Sequence, residues 1–242
     1  MYKRLLSLSF ILALCVINAH AFAASPKDYW YVTTDQNGEI VLHNNATGET
    51  ITEAFRFTET GERVPVDLQF YANELNESIA MHATTEKTMI LSSDALLRGP
   101  STYAYTFEES STEKKLGESI KVTSDIRGPA TVTYGESVTI MDSFGGDISI
   151  TAKIENAIEA GASFTWNKSL SSSSQFSVAY DVPAGRIGYI KFTPYYNISS
   201  GTIVRRLYSP SLIKTDRFPG WGKSPIKLST GFADGVYALV KK

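Results

Sequence analysis

Hydrophobic and polar residues alternate through the middle of the chain over an unusually long distance. From residue 130 to residue 182, the apolar residues fall mostly on even-numbered positions, and Ser, Thr, Asn and Gly fill most odd-numbered positions. This period of two is the pattern of a β-strand with one apolar face. An average strand is only about five or six residues long, so the pattern predicts several long strands that share one apolar face.

Residues 137–156 of this stretch predict a β-hairpin. Strand 137–143 leads into a turn whose glycines can adopt the positive φ that tight turns require, and strand 148–155 follows. The apolar face and the turn consist of Val138, Ile140, Phe144, Gly145, Gly146, Ile148, Ile150, Ala152 and Ile154. Residues 157–166 and 175–182 predict further strands. A rival hairpin spans 158–180, with its apex in the serine run at 171–174.

The polar face of these strands is unusual in composition. An ordinary half-exposed antiparallel sheet also alternates, but here the polar positions are mostly small and uncharged rather than Lys and Glu. Such alternation is typical of strands that separate lipid from a water-filled lumen. A single hairpin cannot close a barrel, and an open sheet edge in lipid leaves amides unpaired. A membrane barrel would therefore need hairpins from several copies of the chain.

The remaining segments predict an all-β fold with a minor helix near 68–98. Residues 29–34 and 39–44 predict a hairpin, because an Asn-Gly pair lies between them. Residues 64–71 predict a strand that overlaps the start of a helical spacing at Leu68, Ala72, Leu75 and Ile79, and a second helical turn is expected at 93–98.

The C-terminal part predicts further strands. Residues 188–209 predict two strands around 197–201, and residues 235–242 predict a last strand. The polar stretch 108–119 predicts an exposed loop or linker, and 218–224 predicts an exposed aromatic loop. The expected organisation is a mainly β N-terminal part at 24–115, suited to surface binding, and a β-rich part at 116–242.

The first 23 residues predict a secretory signal peptide. A basic start precedes an apolar run over 5–17, and two A-x-A sites predict cleavage after Ala21 or Ala23. The apolar run is short for a membrane-spanning helix, which needs about 20 residues. We expect a secreted protein whose mature chain has no cysteine, since Cys15 lies in the leader. A lipoprotein acylated at Cys15 is the alternative, although the preceding Leu14 fits that processing poorly.

Charge and chemistry exclude several classes of function. Removal of Lys3 and Arg4 with the leader changes the formal net charge from −2 to −4, so no basic field attracts nucleic acid. Only His43 and His82 then remain among the histidines. The chain has no serine-hydrolase, zinc-protease or Cys/His metal motif. We therefore predict that the protein is not an enzyme and uses no cofactor and no metal.

The order of these features resembles the aerolysin-like β-pore-forming toxins, particularly the epsilon-toxin branch. The features are a Ser/Thr-rich strand, an amphipathic hairpin, a long Ser/Thr strand and the corner Tyr180-Asp181-Val182-Pro183-Ala184-Gly185, within about 117–205. The resemblance implies an elongated antiparallel β protein with long Ser/Thr-rich strands. It also implies binding to a target cell membrane, surface glycan or receptor, homo-oligomerisation there, and insertion of one hairpin per protomer.

Two further expectations accompany this resemblance. Tyr195, Tyr196 and Trp221 would form an aromatic surface for a sugar or a lipid headgroup, unless they serve in ordinary strand packing. The alternative function is a secreted, non-catalytic β-sandwich that binds or adheres to a surface without forming oligomers on membranes.

Overall fold

A computed structural model describes residues 29–85, 102–134, 137–172 and 178–242. The elements are β1 (Trp30–Thr34), β2 (Ile40–Asn44), β3 (Thr50–Phe57), β4 (Arg63–Pro65), α1 (Leu68–Thr85), β5 (Thr102–Leu116), β6 (Ile120–Lys121), β7 (Ile126–Arg127), β8 (Ala130–Tyr134), β9 (Thr139–Met141), β10 (Ser143–Gly146), α2 (Ala152–Gly161), β11 (Ser169–Ser171), β12 (Val178–Val182), β13 (Ile187–Tyr208), β14 (Leu212–Pro225) and β15 (Gly235–Lys241). Strands make up 57% and helices 12% of the structure, and the predicted all-β class is confirmed.

The strand β13 is shared by the two halves of a large antiparallel sheet. Its first part, Gly188–Pro194, pairs with β15, which continues to β3, β2 and β1; we call these strands the lower sheet. Its second part, Tyr195–Tyr208, pairs with β5 and β14, and β10 pairs with β14; we call these strands the upper sheet. Strands from both sides of position 115 therefore belong to one sheet.

The lower sheet carries an apolar core on each face. Helix α1 covers one face with Tyr71 and Leu75, and the Tyr71 hydroxyl lies 2.8 Å from Thr193 Oγ1. On the other face, Tyr237 packs among aromatic residues of β3 and β13 and against β8, β9 and β12. Alternate residues of β15 supply both cores, which explains why this strand is buried on both sides.

Several local predictions are confirmed, and others are wrong. The β1–β2 hairpin, the strand β15 and the helix beginning at Leu68 form as predicted. The strand expected at 64–71 ends at Pro65, because the Asp67 side chain accepts a hydrogen bond from the Phe70 amide and starts α1. The signal peptide and the helical turn at 93–98 lie outside the described residues.

The predictions of two loops and of a paired strand are also wrong. Residues 108–116 continue β5, and residues 218–224 lie within β14. Residues 188–208 form one strand without a turn at 197–201. At Gly201 the backbone of β5 comes so close that a Cβ would lie 2.2 Å from the Glu108 carbonyl oxygen. This glycine therefore permits strand pairing and does not mark a turn.

Candidate functional site

The alternating region forms an interrupted hairpin. Its first arm is β8 and β9, and its second arm is β11 and β12. Strand β9 pairs with β11 in the register Ile140–Leu170, and the Asp142 amide donates a 3.0 Å hydrogen bond to the Lys168 carbonyl just beyond this ladder. Ser172 ties the arms together further down, since its hydroxyl lies 2.6 Å from the Tyr134 hydroxyl. Residues 142–168 connect the two arms, and we call them the tip segment.

The tip segment folds back onto the upper sheet. It begins as β10, which pairs with residues 220–223 of β14 and continues with a 3.0 Å hydrogen bond from the Asp147 amide to the Pro219 carbonyl. The chain then crosses the face of the sheet as α2. The tip segment is therefore both an edge strand and a cover for one face.

The strand predicted at 148–155, and its continuation at 157–166, are wrong in this structure. Residues 152–161 form α2, which buries Ile154 and Ile158. These two isoleucines are four residues apart, a spacing that satisfies the helical period as well as the period of two. The surrounding Ala, Lys and Glu residues favour a helix. Consequently 137–156 is not a β-hairpin with its turn at Gly145 and Gly146, which lie within β10.

Apolar packing holds the tip segment on the sheet. Ile154 and Ile158 are at most 1% exposed and contact Phe107 and Ile203 of β5 and β13. Full burial of such a side chain contributes about 1.5–3 kcal/mol. The partly buried residues around this cluster are Tyr105, Phe144, Ile148, Ile150, Trp166 and Phe218. Most of the large apolar side chains of the segment are thus wholly or partly removed from water.

Trp166 and a glycine of β14 fix how closely the tip segment approaches the sheet. The Trp166 ring stacks on Phe144 at 5.1 Å and on Phe164 at 5.5 Å, and its Nε1 donates a 2.8 Å hydrogen bond to Asp142 Oδ2. A Cβ on Gly222 would lie 2.7 Å from the Trp166 ring. The absence of a side chain at 222 therefore lets the indole approach β14 closely.

Polar contacts add ties after the C-terminal end of α2. The Ser163 hydroxyl lies 3.0 Å from Thr112 Oγ1 on β5, and the Asn167 amide donates a 2.7 Å hydrogen bond to Ser224 Oγ on β14. These contacts are few and partly exposed, so individual ties of this kind contribute about 0.5–1.5 kcal/mol each.

A polar cavity of about 370 Å³ lies where the tip segment leaves the first arm. Its charged residues are Asp142, Glu155, Glu159 and Lys168. Lys168 Nζ lies 3.0 Å from Glu159 Oε1, and this hydrogen bond and charge raise the pKa of Lys168 above its ordinary value. The ammonium therefore stays charged at neutral pH and joins α2 to the start of β11.

The predicted insertion residues occupy different environments in this fold. Ile140 and Ile154 are buried, whereas Ala152 is exposed at the start of α2. The remaining ones are partly buried, namely Val138, Phe144, Gly145, Gly146, Ile148 and Ile150. Even-numbered positions are less exposed than their odd-numbered neighbours at 137–141 and at 147–150, but residues 143–146 of β10 are all partly buried, and the alternation is lost where α2 begins.

The expected aromatic surface does not form. Tyr195 and Tyr196 are 3% and 7% exposed, and the Tyr195 hydroxyl donates a 2.6 Å hydrogen bond to Glu74 Oε2. Trp221 is partly buried, and its ring lies against Gly145, where a Cβ would be 2.6 Å away. These residues pack strands, because β13 carries the two tyrosines and β14 carries Trp221 inside the sheet rather than at a loop.

Sequence reasoning missed the extent of the segment. It placed one hairpin at 137–156 and a rival at 158–180, whereas β9 pairs with β11 and joins residues from both. The sequence did contain a signal for this pairing, because apolar residues occupy even-numbered positions both before and after α2.

Comparison of the chain with protein-family models, with curated proteins and with solved structures found no match. Within the residues that the structure describes, no helix combines the length and the apolar character needed to cross a membrane. Across the same residues, no cluster of three or more His, Cys, Asp or Glu side chains is arranged to hold a metal ion.

Proposed function

We propose that the protein is a secreted pore-forming protein that binds a target surface, oligomerises and inserts a β-hairpin derived from the tip segment and its arms. The observation that carries this proposal is the register between β9 and β11. It joins two amphipathic stretches that share one apolar frame, and the tip segment lies between them with its apolar side chains on the upper sheet.

Extension of this register through the tip segment gives a hairpin of consistent chemistry. Residue by residue, Phe144 would pair with Trp166, Ile148 with Ala162, and Ala152 with Ile158. The first of these pairs is already in contact, since the two rings stack at 5.1 Å. The even-numbered face of the two arms, residues 144–153 and 157–166, is apolar apart from Gly146 and would meet lipid, while the charged pair Asp142 and Lys168 at the base of the same face would lie at the membrane surface. Each of these arms has about the 9–11 residues that cross a bilayer.

The opposite face of the extended hairpin is polar throughout. The same register pairs Ser143 with Asn167, Asp147 with Ser163, and Thr151 with Glu159, while glycines fill other positions of this face. Small polar and charged residues are tolerated in a water-filled lumen. The apex would fall at 153–157, where the charged Lys153 and Glu155 would emerge on the far side of the membrane.

The energetic balance of this conversion is compatible with a triggered change. The tip segment gives up contacts with the upper sheet, but the same side chains enter lipid, which is as apolar as the site they leave. Backbone hydrogen bonds of α2 are replaced by strand pairing within and between protomers, as a closed barrel requires. The mature chain contains no disulfide that would prevent the movement.

Leakage from lipid vesicles tests the proposal. We expect the mature protein to release a trapped dye from vesicles or target cells and to form a detergent-resistant oligomer on gels. Single-cysteine variants carrying an environment-sensitive dye locate the inserted residues, and Ile150→Cys and Phe164→Cys should enter lipid while Ser149→Cys stays in water.

Each alternative has a distinct result in this experiment. A surface-binding or adhesion protein would coat the target and release no dye. Labels at 148 and 150 that stay in water during leakage, with labels at 164 and 178 entering lipid, would favour a hairpin at 158–180. If no label enters lipid, the pore proposal fails.

A further inference from the structure

A polar cleft opens at the far end of the lower sheet, away from the tip segment. Its floor is formed by β1, β2, β3 and the end of β15, and its walls are the β1–β2 turn and the corner between β12 and β13. The cleft has a volume of about 420 Å³, which is within the range of small-ligand sites. Nothing in the proposed insertion mechanism uses it.

Strand register aligns a row of side chains that runs along the floor of this cleft and ends beside it at Tyr31. Tyr31, His43, Thr50 and Lys241 are consecutive partners across β1, β2, β3 and β15, so their side chains share one face of the sheet. His43 Nδ1 lies 3.2 Å from Thr50 Oγ1, and the exposed Tyr31 ring meets the His43 ring edge-on at 5.5 Å. The row is therefore a fixed surface.

The cleft is positively charged although the chain is acidic overall. Lys241 lines the floor and Arg186 lines the corner wall, and neither makes an ion pair with a carboxylate in the described part of the chain. The Asp35 carboxylate also lines the cleft, but its Oδ1 accepts hydrogen bonds from the Asn37 and Glu39 amides at 2.8 and 2.9 Å. This carboxylate shapes the turn, and its pKa is lowered mainly by the Glu39 amide and also by the nearby charge of Lys241. Lys241 Nζ also lies 5.7 Å from the centre of the Tyr180 ring, so the two cations outnumber the one carboxylate of the cleft and neither is held in a close ion pair within the described residues.

Neutral polar groups complete the lining. Thr33, Thr50 and Thr52 supply hydroxyls that both donate and accept hydrogen bonds, and Gln36 and Asn37 supply amides with the same ability. Sugar hydroxyls also donate and accept, whereas a bare inorganic anion accepts only. The exposed Tyr31 ring beside the cleft offers an apolar face of the kind on which a pyranose ring can rest.

We infer that this cleft binds an anionic saccharide, with the carboxylate, sulfate or phosphate group between Lys241 and Arg186 and the sugar hydroxyls on the threonine and amide side chains. The inference deepens the proposed function by naming what the soluble protein recognises on a surface, and it rests on the proposed function for that role. Binding of the sugar itself is independent of insertion, because the cleft and the tip segment lie on different parts of the fold.

Calorimetric titration of the mature protein tests the site directly. The probes are 3′-sialyllactose and N-acetylglucosamine 6-sulfate, with lactose, N-acetylglucosamine and inorganic sulfate as comparisons. We expect the charged sugars to bind at least about tenfold more tightly than their neutral parents and than sulfate, since a charge-assisted hydrogen bond contributes about a factor of ten or more.

Matched variants assign the binding to the cleft. Arg186→Gln and Lys241→Gln should each weaken binding of the charged sugars about tenfold or more, while Lys227→Gln, at an exposed lysine outside the cleft, should leave it unchanged. Thermal unfolding of each variant checks that the fold is retained. Equal binding of charged and neutral sugars, binding unaffected by both variants, or sulfate binding as tightly as the sulfated sugar would overturn the inference.

A leakage assay separates this inference from the proposed function. Arg186→Gln and Lys241→Gln should reduce attachment to glycan-bearing cells, yet release dye from plain lipid vesicles as efficiently as the unmodified protein at high protein concentration. Sugar binding without any leakage would refute the pore proposal and support the saccharide site. Leakage without sugar binding would refute the saccharide site and support the pore proposal. Attachment to phosphatidylserine vesicles in place of glycan-bearing cells would have the same meaning.

Discussion

Ile150 and Thr151 are neighbours whose side chains are expected to meet opposite media. Ile150 is partly buried in the same apolar cluster as Phe144 and Trp166, whereas Thr151 is exposed before α2. A lysine on the lipid face costs about 2–4 kcal/mol near the bilayer midplane, and each protomer adds this cost. We expect Ile150→Lys to abolish dye release and Thr151→Lys to retain it while shifting the ion selectivity of single channels toward anions.

The two lysine variants need a check on the soluble fold. Thermal unfolding and attachment to the target surface should be retained by both, because Ile150 is only partly buried. If Ile150→Lys leaks as well as Thr151→Lys, the even-numbered face does not contact lipid, and the assigned frame is wrong.

At the same scale, residue type alone did not reveal which aromatic residues are exposed. Tyr195 and Tyr196 were expected on a surface because they are dense in sequence, yet the central position of β13 between β5 and β14 buries them. Tyr31 was not singled out, although it is 41% exposed beside the cleft. Exposure depends on which strands become neighbours, and that information is not local.

The elements most readily predicted are those with local signals. The Asn-Gly turn gave the β1–β2 hairpin, and the spacing from Leu68 gave α1. Alternation alone could not distinguish α2 from a strand, since isoleucines four residues apart fit both periods. The length of β13 was not predicted, because the mostly polar residues 197–201 suggested a turn. In the structure they pair with β5 on one side and β14 on the other. The sequence therefore predicted which apolar residues of the tip segment share one face of the strands, but it did not predict that residues 152–161 form a helix.

Helix α2 must leave β5 if the tip segment enters a membrane, and a disulfide can prevent this. Thr112 Oγ1 on β5 and the Oγ of Ser163, two residues after α2 ends, lie 3.0 Å apart, which is close enough for the bridge in a Thr112→Cys/Ser163→Cys variant. We expect the oxidised variant to bind the target surface without releasing dye, and we expect a reductant to restore leakage. Dye release from vesicles with and without reductant measures the effect.

The single variants Thr112→Cys and Ser163→Cys are the controls for this lock. Each should leak equally under oxidising and reducing conditions, because the mature chain supplies no second cysteine. Full leakage by a chain shown to be oxidised would mean that the tip segment stays docked during permeabilisation, and the proposed conversion would be refuted.

On the scale of the whole molecule, an ion pair joins the N-terminal strands to β13. Lys191 Nζ lies 2.6 Å from Glu49 Oε2, and the Tyr189 hydroxyl donates to the same carboxylate. Burial raises the pKa of Glu49, but the hydrogen bonds from Lys191 and Tyr189 outweigh it, so the pKa lies below the ordinary value of 4.5. This contribution to stability is complete above that ordinary value and is lost as pH falls through the lowered pKa.

Substitution of this carboxylate should therefore have a pH-dependent effect. Glu49→Gln is expected to lower the free energy of unfolding by about 1–3 kcal/mol at pH 7, and the difference from the unmodified protein should shrink below about pH 4. Urea unfolding at several pH values measures it, with Glu39→Gln as the exposed control. A deficit that stays constant from pH 7 to pH 3 would contradict the role assigned to this pair.

Under the proposed function, the position of β10 on β14 determines how the protein behaves before it reaches a membrane. While β10 is docked, the backbone groups of residues 220–223 are occupied and offer no template for a strand from another molecule. The residues that occupy them belong to the tip segment, so the template would be exposed only when that segment departs for the bilayer. In the proposed pore-forming protein, docked β10 would suppress polymerisation before a membrane is reached, and arrival at the target rather than protein concentration would set the time of assembly.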